Sequence, residues 1–340
     1  MKRQCLLAAL VRSASSFVTS RSVSTRSNSS YQMTHKTIQE HVKEFINSKL
    51  NPGTEIIDIH SLINGLGINP SDVVKLAESI EKEYAQVEEM LSKDELKAAF
   101  SRQLQEGDKG IVFLDKSDEK EALNVFADAF QEDPLMAWIA GLDDSDPQSK
   151  DAVVELGTYV MAHAANRVIR GERGCALGIQ DEESRLAGII ALKSAHCDSN
   201  VSQVFDDLVS TARLGMIPIP EGKGDPSLPA KRFNAFIEKI STSRKEHMSD
   251  TNKWVYLQAI AVRTTHQGGP GKYGAKMLRL MNSVADTEGL PIYLETESLN
   301  NESMYAHFGF RTVEEANVSV PGDERSDAVF KLYLMRRDPA

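Results

Sequence analysis

The sequence predicts an α+β fold: a mixed central β-sheet flanked by helices, preceded by a small all-α region. Three observations predict it. From Val255 a branched, apolar run gives way to a glycine-rich loop and then to helical periodicity, which reads as strand, loop and helix. Between about residues 111 and 337, short apolar runs alternate irregularly with helical stretches, and two of the runs lie close enough to pair. Residues 35–106 carry helical patterning and form a separate region.

Residues 1–34 hold Lys2, Arg3, Arg12, Arg21 and Arg26, no Asp or Glu, and abundant serine. That is a transit-peptide composition, and it predicts a mitochondrial protein, with plastid the alternative and cytoplasm the outcome if the segment is no address. LLAALV is too short for the apolar core of a secretory signal, and no run approaches the roughly 18 apolar residues that a membrane span needs. The net charge is −10; without residues 1–34 the remainder sets 34 basic side chains against 49 acidic ones. A body so acidic repels nucleic acid and suits a cationic amine. Cys5, Cys175 and Cys197 show neither metal-ligand spacing nor a disulfide framework, so no metal is expected.

In the region 35–106, Ile38, Val42, Phe45, Ile46 and Leu50 share one helical face that Asn51-Pro52-Gly53 closes. Pro70-Ser71-Asp72 opens a helix over Val73 to Leu91, and Ser92 caps another through Leu104. A second domain begins with the strand at Ile111. Ser117 then starts a helix carrying Ala122, Val125, Phe126, Ala129 and Phe130 on one side, and another helix spans Ala152 to Ile169. Cys175–Ile179 and Leu186–Leu192 read as paired strands around an acidic turn. Residues 200–248 are helical, interrupted by the proline-rich stretch 217–229. Thr312–Glu314, Val318–Val320 and Val329–Met335 read as short closing strands.

The chemistry concentrates between Trp254 and Gly274. Val255–Val262 is a buried strand; Met277, Leu280, Met281, Val284 and Ala285 set a helix from Tyr273 that Gly289 and Pro291 stop. Small residues between them let several N–H groups converge on one point, and the helix dipole adds to the pull, so an anion, most simply a phosphate, belongs there. Gly269, Gly271 and Gly274 fit the dinucleotide pattern G-x-G-x-x-G, with Glu295 at the expected distance. Against that pattern, six residues separate Val262 from Gly269 and only 45 follow Glu295, too few to complete such a sheet. A Walker loop lacks its Lys-Ser or Lys-Thr pair.

LQAIAV, His266-Gln267, the glycines through Gly274 and the helix start AKML together resemble the acyl-CoA loop of the GNAT N-acetyltransferase superfamily. Tyr293 to Phe310, YLETESLNNESMYAHFGF, is similar to that family's next strand, its Asn-containing turn and its Tyr-x-x-x-Gly-Phe motif. FADAFQEDPLMAWI, from Phe126 to Ile139, resembles the opening of a GNAT subgroup. The resemblance covers roughly residues 111–337 and leaves 35–106 without a role.

It implies an N-acetyltransferase that passes an acetyl group from acetyl-CoA to a small amine by direct attack in a ternary complex, without a metal. The backbone of Ile260, Ala261 and Val262 would run beside the pantetheine. Gln267, Gly268, Gly269, Gly271, Lys272, Tyr273 and Gly274 would form the pyrophosphate loop. Read without gaps, the family pattern starts at His266 with Gly269 and Gly271; read back from the helix, Lys272 and Gly274 take those places. Tyr305 would be the general acid for the departing thiolate. Asn301 would either bond the pantetheine or cap the helix. The resemblance also implies that the strand ending at Glu295 splays away from Val255–Val262 to open a gap, and Glu295, which faces that gap, is the candidate base. Two other functions stay open: a non-catalytic acyl-CoA sensor, and a nicotinamide-dependent oxidoreductase using the G-x-G-x-x-G letters. Neither the acceptor nor the oligomeric state can be read.

Overall fold

In a computed structural model, residues 91–104, 110–141, 147–195, 228–325 and 327–340 are described. The transit-peptide segment, the helices expected before Leu91 and most of the proline-rich stretch lie outside the described residues. The first helix, α1 (Lys93–Leu104), opens with a capping box: Ser92 Oγ accepts the Glu95 N–H at 3.2 Å, and the Glu95 carboxylate accepts the Ser92 N–H at 2.8 Å. Its apolar stripe, Leu96, Ala99 and Phe100, is buried in the main core rather than in a separate bundle. So this helix, which the sequence groups with residues 35–106, shares the core of the strands that follow it. Periodicity foretells the helix, but which core its face enters is a tertiary fact.

The chain continues as β1 (Ile111–Phe113), α2 (Glu119–Ala129), α3 (Pro134–Ala140), α4 (Pro147–Ile169), β2 (Gly174–Gln180), β3 (Leu186–Ser194) and α5 (Leu228–His247). Then come β4 (Val255–Val262), α6 (Tyr273–Glu288), β5 (Ile292–Thr296), α7 (Leu299–His307), β6 (Arg311–Ser319) and β7 (Val329–Arg337). The strands form one seven-stranded sheet in the order β1-β2-β3-β4-β5-β7-β6. Among the described residues only β4 and β5 pair in parallel; every other neighbour is antiparallel. A dinucleotide fold needs a mostly parallel sheet, so the G-x-G-x-x-G letters have no such scaffold here.

Strand alternation divides the core between the two faces. Cys175, Leu177 and Ile190 pack with α1 and α6, whereas Ala176, Ile189 and Ala261 pack with α2 and α4. At the far edge the expected short segments 312–314 and 318–320 are one strand, β6, with a register shift between Thr312 and Glu314. Glu314 and Glu315 interrupt the apolar pattern, yet an edge strand tolerates charge because one side meets solvent. Glu314 meets Lys239, Ser243 Oγ at 2.8 Å and His247 Nε2 at 3.1 Å, which ties α5 to this strand.

The turn between β6 and β7 is fastened by Arg232, whose side chain is fully buried. Its guanidinium reaches Asp323 at 2.6 Å and Asp327 at 2.9 Å, donates to the Trp138 carbonyl at 2.5 Å, and lies 5.0 Å from the Trp138 ring. Trp138 stacks in turn on Phe330 at 5.1 Å. One arginine of α5 thus fixes α3 against the β6–β7 hairpin.

Candidate active site

β4 and β5 pair only at Val255 with Ile292 and at Tyr256 with Tyr293. Beyond Tyr256 the two strands part. The register between β3 and β4 gives a cause: Leu192 faces Leu257 and Ala191 faces Ala259, so Gln258 is an extra residue in β4. A bulge of this kind bends the strand and sharpens its twist. The edge of β4 from Leu257 to Val262 is left with no strand partner on the β5 side. Gln258 Oε1 is buried there without a hydrogen bond among the described residues. Ile260 and Ala261 lie on this edge; the Val262 carbonyl already accepts the Gln267 side-chain amide at 2.9 Å.

After Val262 the backbone makes a single 3₁₀ turn, Thr264–His266, anchored where Asp128 of α2 accepts the Thr264 N–H at 2.7 Å. Gly268 (φ +66°) and Lys272 (φ +46°) take left-handed conformations, and α6 begins at Tyr273. Among the described residues, the N–H groups of Gly268, Gly269, Gly271, Tyr273, Gly274 and Ala275 have no acceptor. Gln267 and Lys272 differ from expectation, since their amides are spent inside the loop, on the carbonyls of Thr264 at 3.3 Å and Gly269 at 3.2 Å. Gln267 serves through its side chain, closing the loop against β4. The exposed Lys272 side chain still adds a positive charge. Ala275 was not anticipated, although the first turn of any helix leaves its amides unpaired. His266 is occupied by Thr265 Oγ1 at 2.9 Å and Asp181 at 3.4 Å.

The other wall is built from the end of β5 and from α7. Ser298 is the N-cap of α7 and accepts the Asn301 N–H at 3.1 Å, so Asn301 is not the cap, and its side chain has no partner among the described residues. Gly309 (φ +88°) ends the helix with the Phe310 N–H donating to the Tyr305 carbonyl at 3.2 Å. This folds Phe310 back edge-on to the Tyr305 ring at 5.7 Å. The Tyr-x-x-x-Gly-Phe spacing therefore has a plain physical role: it seats the tyrosine. Tyr305 is 7% exposed, and its hydroxyl has no hydrogen bond among the described residues. Burial raises its pKa, and the charge of Glu297 raises it further.

Glu295 is paired with Arg244 of α5 at 2.8 Å, both side chains are buried, and the guanidinium lies 4.2 Å from the Tyr256 ring. Two residues on, Glu297 is the carboxylate that the sequence reading passed over. Burial, then the charge of Asp133, push its pKa up to about 7. Asp133, the buried N-cap of α3, accepts the Met136 N–H at 3.1 Å, and burial raises its own pKa. Nothing local in the sequence distinguishes Glu297 from its neighbours; its environment comes from α3, more than 150 residues away.

No protein-family model matches the chain. An uncharacterized N-acetyltransferase of Schizosaccharomyces pombe is 27% identical over 229 residues, 66% of this chain and 82% of that protein. That similarity supports, for this chain, an N-acetyltransferase of the GNAT type. Solved structures with a similar arrangement include an insect putative arylalkylamine N-acetyltransferase from Aedes aegypti (14% identity, 67% of this chain and 86% of that one, TM-score 0.41). Another is a Drosophila melanogaster polyamine N-acetyltransferase (10% identity, 67% and 99%, TM-score 0.39). GNAT enzymes use acetyl-CoA, and the residues present fit that molecule on their own chemistry. Six unpaired amides at a helix N-terminus match a pyrophosphate, and the unpartnered edge of β4 matches an amide-bearing arm. Among the described residues no cluster of His, Cys, Asp and Glu could hold a metal, and no helix is long and apolar enough to cross a membrane.

Proposed function

We propose that this chain transfers the acetyl group of acetyl-CoA to a small primary amine by direct attack within a ternary complex. The observation that carries the proposal is the opening between β4 and β5 beside six unpaired loop amides. The amides of Gly268, Gly269, Gly271, Tyr273, Gly274 and Ala275 would hold the pyrophosphate, and the backbone at Ile260 and Ala261 the pantetheine. Acetyl-CoA supplies the activated acyl carbon. Tyr305 holds a proton where the sulfur departs, and its raised pKa keeps it protonated through neutral pH. Asn301, one helical turn before Tyr305, is placed to offer its side-chain amide to the same arm. Arg244 and Glu295 fix α5 to β5 and keep that wall rigid.

The acidic body favours a cationic acceptor. The basic, serine-rich start supports import into a mitochondrion, with plastid the alternative. Coenzyme release from acetyl-CoA, followed across a panel of primary amines, tests the reading. Release with at least one amine is expected; binding of acetyl-CoA without release by any amine would favour a sensor instead.

A further inference from the structure

The turn that ends α7 sets where Tyr305 sits. Both residues flanking Gly309 donate to the Tyr305 carbonyl, Phe308 at 2.9 Å and Phe310 at 3.2 Å, and the Phe310 ring meets the tyrosine ring edge-on. A shift of the turn is therefore a shift of the tyrosine. What holds the turn comes from another element, α6, the same helix whose first residues offer the free amides of Tyr273, Gly274 and Ala275.

Arg279, Asn282 and Asp286, spaced by three and four along α6, form one stripe that meets the turn. Asn282 Nδ2 donates to the Phe308 carbonyl at 2.8 Å, and the Arg279 guanidinium lies 5.9 Å from the Phe308 ring. Asp286 accepts from Arg337 of β7 at 2.7 Å, and Arg337 lies over Gly309: a Cβ at that glycine would stand 3.3 Å from the Arg337 Nε. Arg337 is 8% exposed, and its carboxylate partner compensates the burial of its charge. Two atoms of this grip are bare. Asn282 Oδ1 and Arg337 Nη1 are buried and have no hydrogen-bond partner among the described residues. A leucine at 282 would have the same shape and bury no bare oxygen, so what the asparagine adds is its bond to Phe308.

We propose that Asn282 is a positioning residue for the general acid: through Phe308 it sets the Tyr305 hydroxyl relative to a coenzyme held at the N-terminus of the same helix, with Arg337 covering Gly309 from the other side. The inference rests on the acetyl-transfer reading for the task of Tyr305, though not for the seat of its ring. One rigid helix then carries both the phosphate loop and the seat of the acid, so their separation is fixed within a single element. Asn282 lies about two and a half turns beyond Tyr273, away from the loop amides, so its loss should spare coenzyme binding. The rate should respond instead, because misplacing a reacting group by about 1 Å can cost up to about 10²-fold.

Asn282→Leu removes the bond to Phe308 and the bare oxygen together, two changes that oppose each other in stability. The variant is expected to melt close to the wild type and to keep the rise in melting temperature that acetyl-CoA gives. Its kcat for coenzyme release, with the best primary amine of the panel, should fall by about 10-fold. A double-mutant cycle decides the route: in a Tyr305→Phe background, which already lacks the acid, Asn282→Leu should lower kcat no further. The same fall in both backgrounds, or a wild-type kcat in the single variant, overturns the proposal. A second arm needs no turnover. In full chain carrying carbon-13 in its tyrosine rings, with Tyr305→Phe to assign the signal, Asn282→Leu should move the Tyr305 resonance, since the Phe310 ring shifts it according to their geometry. An unmoved resonance overturns the proposal. Should Asn282→Leu fail to fold, Asn282→Ala removes the same bond without adding bulk and replaces it in both arms. If no amine releases coenzyme, the acetyl-transfer reading fails, while the tyrosine resonance still decides whether Asn282 seats Tyr305.

Discussion

At the scale of single residues, Tyr305 and Glu297 make opposite predictions. Tyr305→Phe removes one oxygen that bonds to nothing among the described residues and keeps the edge contact with Phe310. It should lower kcat by about 10²-fold while leaving the melting temperature and acetyl-CoA affinity nearly unchanged. Wild-type turnover at saturating substrate would make it a packing residue. Glu297→Gln should instead change stability in a pH-dependent way. Below about pH 4.5 the carboxyl is neutral in both folded and unfolded chains and the substitution should be silent. Between there and about 7 the unfolded chain releases its proton while the folded chain keeps it, so rising pH favours unfolding. The wild type should therefore lose stability across that window, and Glu297→Gln should melt higher than the wild type above pH 7. Scanning calorimetry at pH 4.5 and 8 checks the sign; equal melting at both would mean an ordinary carboxylate. The two residues also mark what single letters convey. Tyr305 is legible because its glycine and phenylalanine partners lie within five residues. Glu297 is illegible because its perturbation is tertiary, and the same holds for the pairing of Arg244 with Glu295.

At the scale of elements, the unit β4–loop–α6 was the most legible part of the chain. Branched residues, glycines and the 3.6-residue period each act locally, so both Val255–Val262 and the start of α6 at Tyr273 follow from sequence. What pattern cannot give is which amides remain free, since that depends on internal turns such as Lys272 onto Gly269. The opening beside it was foreseen only through family resemblance, because the bulge at Gln258 leaves no sign in an apolar run. The loop carries its own prediction. A Cβ at Gly271 would come within 2.6 Å of the Tyr273 ring, and a carboxylate there would sit among amides shaped for phosphate. Gly271→Asp should abolish the rise in melting temperature that acetyl-CoA gives the wild type, because a ligand stabilises only the state it binds. Equal stabilisation in the mutant would place the phosphates elsewhere.

At the scale of the whole molecule, the site depends on bringing α3, from early in the domain, against strands from its end. Sequence reading found both segments and nothing that joined them. Arg232 joins them, and an arginine in a helix of ordinary polarity announces no such role. Its side chain is fully buried and Asp323 is 1% exposed, whereas Asp327 is 38% exposed. The geometry predicts unequal costs. Arg232→Ala strands a buried Asp323 carboxylate and frees the Trp138 carbonyl, so it should cost about 3–5 kcal/mol in urea denaturation, the usual penalty for half of a buried pair. Asp327→Asn leaves the Arg232–Asp323 contact in place and removes a charge that water partly solvates, so it should cost under about 1 kcal/mol.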